Sequence, residues 1–571
     1  MNIYATIKEI ITDIVTNINP NIDENILKNI SCEKPKNESY GDVSSNVVML
    51  LRKKTNLSAY ELSEIIIDEA KKNKIFNEIN FVKPGFINFK LSISVWHELL
   101  FEIKKKEYAY GFKNLGKGEK INIEFVSANP TGPLHIGHAR GAVIGDVLSN
   151  LLELNGYQVT KEYYINDRGG QINNLVRTII LHCKNLLDKS DIQLDNEMYK
   201  GEYLKKLSEK LIILDNFNLN KKEEIQTIVV EKILDDIKKD LTSLGINFDV
   251  FTSEKKLFEE GILDKAIDIL EKKDFIYKGT LEKPKGKEIK EWSPLEQTLF
   301  KATKLGDSLD RPIKKNNGEW TYFASDIGYH YDKCKRGFNE LINIWGADHA
   351  GYIKRVEAAL KALDNNKVKF NVILCQIVNL IDKNKIIKMS KRKGNVVLIK
   401  DVINAIGKDV LRFYMLTRKS DAHIDFDLSQ CIKENRENPI FYVQYAIARV
   451  NSISQAIDDL NIDIESYDNM NTIRQLSLDE EIIIIKALSL WPKVIESSVL
   501  AREPHRIVYY VIELAAKLHA FWTMGKSKNS YRIINKKNVS LTIARYTLLN
   551  CVKLVLINGL KILSIEPVDK M

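Results

Sequence analysis

Ile121-Asn122-Ile123-Glu124-Phe125-Val126-Ser127-Ala128-Asn129-Pro130-Thr131-Gly132-Pro133-Leu134-His135-Ile136-Gly137-His138 is the stretch whose reading decides the fold. Ile121, Ile123 and Phe125 alternate, so Lys120 to Val126 reads as a strand with one buried face. A loop of proline, glycine and small polar residues follows, and a helix is predicted from about His135 to Leu154, ended by Gly156. A second strand is predicted from Gln158 to Ile165. Strand, phosphate-sized loop, helix and strand open a parallel α/β domain, which binds ligands beyond the carboxyl ends of its strands.

Outward from this unit, the 571 residues are too many for one core and predict about three to four domains. Residues 1–105 form one region, where Ile7, Ile10, Ile11, Ile14 and Val15 carry helical spacing and Lys83 to Phe89 reads as a turn entering a strand. A glycine-rich basic linker runs from Gly111 to Gly118. Residues 115–430 read as a Rossmann-like domain, with a charged, mostly helical insertion at about 170–300. Further strands are predicted at Trp320 to Phe323, Leu341 to Trp345 and Val372 to Leu380. Residues 431–571 read as an all-helical bundle. The fold class expected is therefore α/β, flanked by an N-terminal α+β domain and a C-terminal all-α domain.

Composition narrows the function. Hydrophobic residues are 44% and charged residues 28%, as in ordinary globular chains. No apolar run reads as long enough to span a bilayer; Ile482 to Ile485 is short, and Pro492 follows soon after. The N-terminus lacks the basic start and apolar centre of a secretory leader, so a cytoplasmic location is expected. Six cysteines are scattered without CxxC spacing, which argues against a disulfide framework or zinc ribbon, and no protein-bound metal is expected. A net charge of +9 permits a polyanionic partner without requiring one.

Two constellations carry chemistry. His135 and His138 stand at i and i+3 at a helix start, where first-turn N–H groups favour an anion. Gly137 between them leaves room for a nucleotide. Taken alone, the four letters favour a plainer reading: two surface histidines, or a His-x-x-His metal pair, which lacks a third ligand nearby with suitable spacing. The second constellation is Lys388-Met389-Ser390-Lys391-Arg392-Lys393-Gly394, after a predicted hairpin turn at Asp382-Lys383-Asn384. Six of the thirteen residues from Lys383 to Asn395 are Lys or Arg. A mobile basic loop of this kind can close on a triphosphate; its alternative is a solvated basic turn.

In this order and about 250 residues apart, the two motifs resemble the paired signatures of class I aminoacyl-tRNA synthetases. The longer stretch Ser127 to His138 resembles the bacterial arginyl-tRNA synthetase version. So do Tyr164-Ile165-Asn166-Asp167, Tyr322 to Ile327, and Gly346-Ala347-Asp348-His349. Asn438 to Ala446 is similar to the start of that family's anticodon-binding bundle. Glu38-Ser39-Tyr40-Gly41-Asp42 and Pro84 to Asn88 resemble its extra N-terminal domain. The likeness spans essentially the whole chain. Ile447, where the family often has His, and Ser564, where it often has Gly, are departures that bear on RNA contacts.

The resemblance implies a ligase that makes arginyl-adenylate from arginine and ATP, with Mg2+, and passes arginine to tRNA(Arg). His135, His138, Lys388 and Lys391 are implied as catalytic. Pro133, Leu134, Gly137, Asp348, His349, Met389 and Ser390 are implied for ATP. For arginine, Tyr322 and Asp326 are implied beside the guanidinium, Glu124 and Asn129 at the α-amino end and Ser127 as a further contact, with Asn166 and Asp167 as weaker candidates. A planar cation with five donors demands such carboxylates. Asp326 also fits a helix N-cap, and Glu124 an exposed strand position.

For tRNA, Phe86 and Asn88 are similar to positions used on the D-loop, although Phe86 fits a core position equally. Tyr442, Gln444 and Tyr445 fit both RNA contact and bundle core. Lys517 to Lys553 holds eight Lys or Arg and no acid, with Phe521, Trp522, Tyr531 and Tyr546 interleaved; Phe521 and Trp522 read as core. A monomer without membrane attachment is implied. The rival readings are another class I synthetase and a non-catalytic tRNA-binding paralogue.

Overall fold

The computed structural model describes every residue except 1, 191–192, 196, 215–216, 282–295, 365–366, 383–384, 388–396 and 434–436; for Glu38, Asp382 and 385–387 it describes the backbone alone. A five-stranded, wholly parallel sheet lies at the centre. Its spatial order is Lys369–Cys375, Glu340–Gly346, Lys120–Glu124, Gln158–Ile165, Val250–Ser253. The first strand in sequence is central, and the chain builds outward from it in both directions. The crevice between the carboxyl ends of Lys120–Glu124 and Glu340–Gly346 is thus the topological switch point, where such sheets hold ligands.

Three expectations are corrected. The region read as a helical insertion also supplies the edge strand Val250–Ser253, paired with Gln158–Ile165. Trp320 to Phe323 is not a strand. Thr321 accepts the Ala324 N–H at 3.3 Å as an N-cap and starts the helix Tyr322–Lys335. Val372 to Leu380 is two strands from different sheets, Lys369–Cys375 and Val378–Asp382, broken at Gln376 and Ile377.

The N-terminal region packs the helices Ile3–Ile18 and Ala59–Lys71 on a four-stranded antiparallel sheet. It docks on the C-terminal bundle. Asp42 pairs with Lys486 at 2.6 Å, and Trp491 donates its indole N–H to the Tyr110 carbonyl at 3.1 Å. In the bundle, Asn438 and Pro439 start the helix Pro439–Asp458 by cap and N1 chemistry. Val539–Ile562 corrects the reading that no apolar run reaches membrane length: by length and composition it does. It is the central bundle helix, packed against Pro439–Asp458, Asp479–Ser489 and His505–Ser527. Beyond its end Ser564 takes φ +53°, the left-handed region that favours glycine. Its hydroxyl accepts the Asn150 amide at 2.8 Å and lies 3.4 Å from Asp146.

Candidate active site

The helix tip is built by its own backbone. Val126 at φ +66° and Ser127 at φ +37° turn the chain sharply off the central strand. Such angles are strained for a β-branched residue and are held by surrounding contacts. Ser127 donates its hydroxyl to Glu124 Oε1 at 3.1 Å and accepts the Tyr164 N–H at 3.1 Å. His135 caps the helix Ile136–Glu153: its Nδ1 accepts the Gly137 N–H at 3.2 Å, and His138 Nδ1 accepts the His135 N–H at 3.2 Å. The two rings lie 3.8 Å apart, centre to centre. With both Nδ1 atoms accepting, each neutral ring carries its proton on Nε2. A Cβ on Gly137 would meet His135 Nδ1 at 2.9 Å, so the glycine leaves room first for the capping imidazole.

Lys388, Met389, Ser390 and Lys391 lie outside the described residues. The chain is described again at Val397, whose carbonyl accepts the Ile136 N–H at 3.0 Å, while the Ile399 N–H donates to Leu134 at 3.1 Å. The segment following the basic loop is therefore joined to the helix tip. Leu134 itself is buried beneath the tip. One turn further on, buried Arg140 donates to the carbonyls of Gln376, Lys419 and Ala422 at 2.6–2.9 Å. It pins the 376 and 419–422 loops to the same helix.

At the switch point stands an acidic pocket. Glu124 ends the central strand and is buried, not exposed. Its Oε2 accepts Lys333 Nζ at 2.6 Å. Asp326 lies in the second turn of Tyr322–Lys335, so it is not the N-cap, and it is half-buried. Its Oδ2 accepts the Tyr352 hydroxyl at 2.5 Å. Burial, with Glu124 and Glu254 nearby, pushes the Asp326 carboxyl up to about 7 against the lowering by that hydrogen bond. Tyr322, one turn earlier, is exposed, and its hydroxyl lies near Gly169 across the mouth of the pocket. Asn129 donates to Gln171 Oε1 at 2.8 Å. Pro133 is half-buried beside it in the loop.

Glu254 is the acid that sequence reasoning missed. It begins the helix Glu254–Glu259 after the edge strand, is buried, and accepts the Ser325 hydroxyl at 2.8 Å. Burial raises its carboxyl. The Asn166 amide nitrogen, in the orientation that satisfies both its neighbours, donates to Glu254 at 3.0 Å. Asp167 instead holds the strand end, accepting from the Ser253 hydroxyl and the Lys255 N–H at 2.6 and 2.9 Å. Burial pushes the Tyr164 phenol up, and Glu254, Asp326 and Glu124 around it add to the rise. Among the described residues, Lys333 is the one cation in ion-pair contact with any of the three carboxylates.

Behind the pocket runs a buried relay. Lys333 also donates to Asn343 Oδ1 at 3.3 Å and lies 4.2 Å from the Tyr329 ring centre. Asn343 meets His330 Nε2 at 3.1 Å, and His330 Nδ1 meets the Asp326 carbonyl at 2.9 Å. Burial and Lys333 push His330 down to about 3, so it is neutral and bridges carbonyl and amide. Asp348 and His349 follow the strand Glu340–Gly346 at its carboxyl end and are exposed at the crevice edge.

The RNA candidates divide. Gln444 is buried and donates to the Glu566 carbonyl at 3.3 Å, and buried Arg545 pairs with Glu481 at 2.7 Å; both face inward, with their polar groups engaged. Tyr445 lines a surface pocket of about 820 Å³ with Arg449, Trp522, Lys526, Lys553 and Met571. The Arg449 guanidinium lies 4.3 Å from the Tyr445 ring and 5.1 Å from the Trp522 ring. Trp522 is thus half-exposed pocket wall, while Phe521 is core as read. The Tyr442 ring lies tilted against His519, 4.4 Å between centres, in an adjoining hollow. Arg449 had no sequence signal beyond helical spacing. Phe86 is half-buried, and Asn88 is buried with its Oδ1 unpartnered among the described residues.

Known proteins place this arrangement. Residues 101–421 match the family model described as tRNA synthetases class I (R), catalytic domain, which makes the central fold that of a class I synthetase. Residues 2–91 match the arginyl tRNA synthetase N-terminal domain and residues 443–571 the DALR anticodon binding domain. The chain is 45% identical to the arginine–tRNA ligase of Ehrlichia chaffeensis, over 94% of this chain and 93% of that protein. It is 44% identical to that of Wolbachia from Culex pipiens, over 95% of both. A crystal structure of a putative arginyl-tRNA synthetase from Campylobacter jejuni superposes with a TM-score of 0.72 at 32% identity, covering 84% of this chain and all of that one. The chain belongs to the arginyl-tRNA synthetase family.

Proposed function

We propose that this enzyme activates L-arginine with ATP, releasing pyrophosphate, and transfers the arginyl group to the 3′ end of tRNA(Arg). The observation that carries the arginine assignment is the pocket at the switch point. Glu124, assigned to the α-amino end, is answered by Lys333, while Asp326 and Glu254 stand near it with no cation in ion-pair contact among the described residues. A guanidinium supplies the missing charge and a fork of donors that a neutral or shorter side chain lacks. A competing amino acid leaves buried carboxylates unpaired, which is how such a site rejects it.

In the first step the arginine carboxylate oxygen attacks the α-phosphorus of ATP, and the bond to the β-phosphate bridging oxygen breaks. The Nε2–H groups of His135 and His138 are assigned to the α-phosphate, where charge develops. Gly137 and Pro133 flank that position, and Asp348 and His349 are assigned to the nucleoside side. Lys388 and Lys391, with Met389 and Ser390, are assigned to the departing pyrophosphate. Mg2+, when bound with ATP, would supply additional positive charge against the phosphates. In the second step a terminal ribose hydroxyl attacks the adenylate carbonyl and AMP leaves. Positioning and electrostatics carry both steps.

The division of labour proposed is residues 115–430 for chemistry, 431–571 for the anticodon and 1–105 for the tRNA D-loop, through Phe86 and Asn88. Tyr442 and Tyr445, joined by Trp522, offer stacking faces, and exposed Lys526 beside them a cation, to unpaired bases. A cytoplasmic monomer is the working state proposed. Arginine-dependent ATP–pyrophosphate exchange, with and without tRNA(Arg), tests the reading. Exchange with arginine and tRNA is expected; exchange with a different amino acid, or none with arginine plus tRNA, defeats it.

A further inference from the structure

Tyr352 occupies a place that the reaction as described does not use. It ends the Ala347–Tyr352 turn that carries Asp348 and His349, yet its phenol reaches the arginine side and donates to Asp326 Oδ2 at 2.5 Å. Its ring is wedged between Phe323, at 6.3 Å and edge-on, and Trp345, at 6.0 Å. The Arg355 guanidinium covers the ring from 5.1 Å. A cation over the ring sharpens the phenol as a donor. Asp326 Oδ1 accepts no hydrogen bond among the described residues and remains for a ligand.

We infer that Tyr352 is a positioning residue for arginine recognition: its phenol occupies one oxygen of Asp326, turns the other toward the guanidinium and favours the anionic carboxylate, tying the arginine pocket to the nucleotide-side turn. The inference rests on the reading of Asp326 as an arginine-binding acid. The groups facing Asp326 set the direction of the effect. Glu124 from the central strand and Glu254 from the 254–259 helix oppose its ionisation, and Lys333 on its own helix favours it. Tyr164 faces it from the second strand, and Arg355 and Arg311 stand behind Tyr352. Burial and the two acids already hold the carboxyl near neutrality, so loss of the phenol hydrogen bond moves its ionisation to higher pH.

The test is Tyr352→Phe, which keeps the ring and removes the donor. Arginine-dependent ATP–pyrophosphate exchange is run at saturating ATP and tRNA between about pH 6 and pH 8.5, because kcat/KM reports ionisations of the free enzyme. The expected result is an acid limb displaced upward by about one pH unit: a loss of roughly tenfold at pH 6.5 that closes toward wild type at the alkaline end. A loss equal at every pH, or no change, overturns the inference. The ionic-strength-matched melting temperature, checked in parallel, is expected to stay near wild type. Should Tyr352→Phe melt early, Arg355→Met provides the second arm, with a smaller displacement of the same limb expected; a flat ratio there overturns the inference too. Asp326→Asn separates this inference from the reading beneath it. If Asp326→Asn keeps wild-type kcat/KM for arginine, the pocket assignment fails; if it abolishes recognition while Tyr352→Phe is pH-flat, only the role of Tyr352 fails.

Discussion

Asp146 and Asp326 are both carboxylates shielded in the catalytic domain, and their surroundings are opposite. Asp146, on the tip helix, is buried and receives Arg412 at 2.5 Å on one oxygen and Lys161 at 2.8 Å on the other. The remaining Arg412 donors reach the carbonyls of Leu244 and Leu563. Every strong group there is answered from within the chain, and the cluster joins three parts of the molecule. Among the described residues, Asp326 has one phenol and no cation in contact. A charge answered internally holds a fold together; a charge left unanswered beside two more acids marks where a cation from outside belongs.

The sharpest test of that contrast is Asp326→Asn. Arginine kcat/KM is expected to fall by about 10⁴-fold, as for sites that lose a required polar partner, with thermal stability kept or raised. Equal loss of stability and specificity would erase the distinction. Arg412→Met is the mirror experiment. Leaving Asp146 with half its partners in the interior is expected to destabilise by about 3–5 kcal/mol in denaturant titration. Arginine KM of the folded enzyme should change little; a large KM effect would place Arg412 in recognition as well as in the fold. Glu254→Gln, which keeps shape and a hydrogen-bonding group, is expected to lower arginine kcat/KM by roughly 10- to 100-fold. No effect would leave two carboxylates, not three, in the pocket.

The smallest effect is in protons. Folding raises the Asp326 carboxyl above its unfolded value, so ionising it works against the fold. The sign follows: its contribution to stability is complete below about pH 4 and is lost as pH rises through about 7. On the proposed pairing of arginine with the anion, binding below pH 7 should release up to one proton, and arginine affinity should rise with pH through that range. Calorimetric titration in two buffers of different ionisation enthalpy measures the proton. Proton uptake, or none at pH 6, contradicts a protonated Asp326 in the free enzyme.

Much of the site was legible because it is local. The alternation of Ile121, Ile123 and Phe125, the turn after them and the paired histidines lie within eighteen residues, and neighbours in sequence must there be neighbours in space. Tyr322 and Asp326, four apart, share a helix face for the same reason, even though Trp320 to Phe323 read as strand. That misreading came from aromatic and β-branched letters at a place where one threonine cap outweighs them. Glu254 was not legible. It reaches the pocket only because the 250–253 strand joins the sheet edge, and nothing near it in sequence announces that pairing.

The sequence by itself determined the architecture's opening unit, the imidazole-bearing helix start, the run of basic residues from Lys383 to Lys393 and the family likeness, because each is written in short-range order. Only the tertiary structure decided which charges are answered. Lys333 with Glu124, Arg412 with Asp146 and Arg545 with Glu481 are pairs 209, 266 and 64 residues apart. It also sent Gln444 inward and left Tyr445 and Trp522 lining a hollow. Whether a carboxylate is structural or functional depends on the local field, and that field is summed over side chains that meet only once the chain has folded.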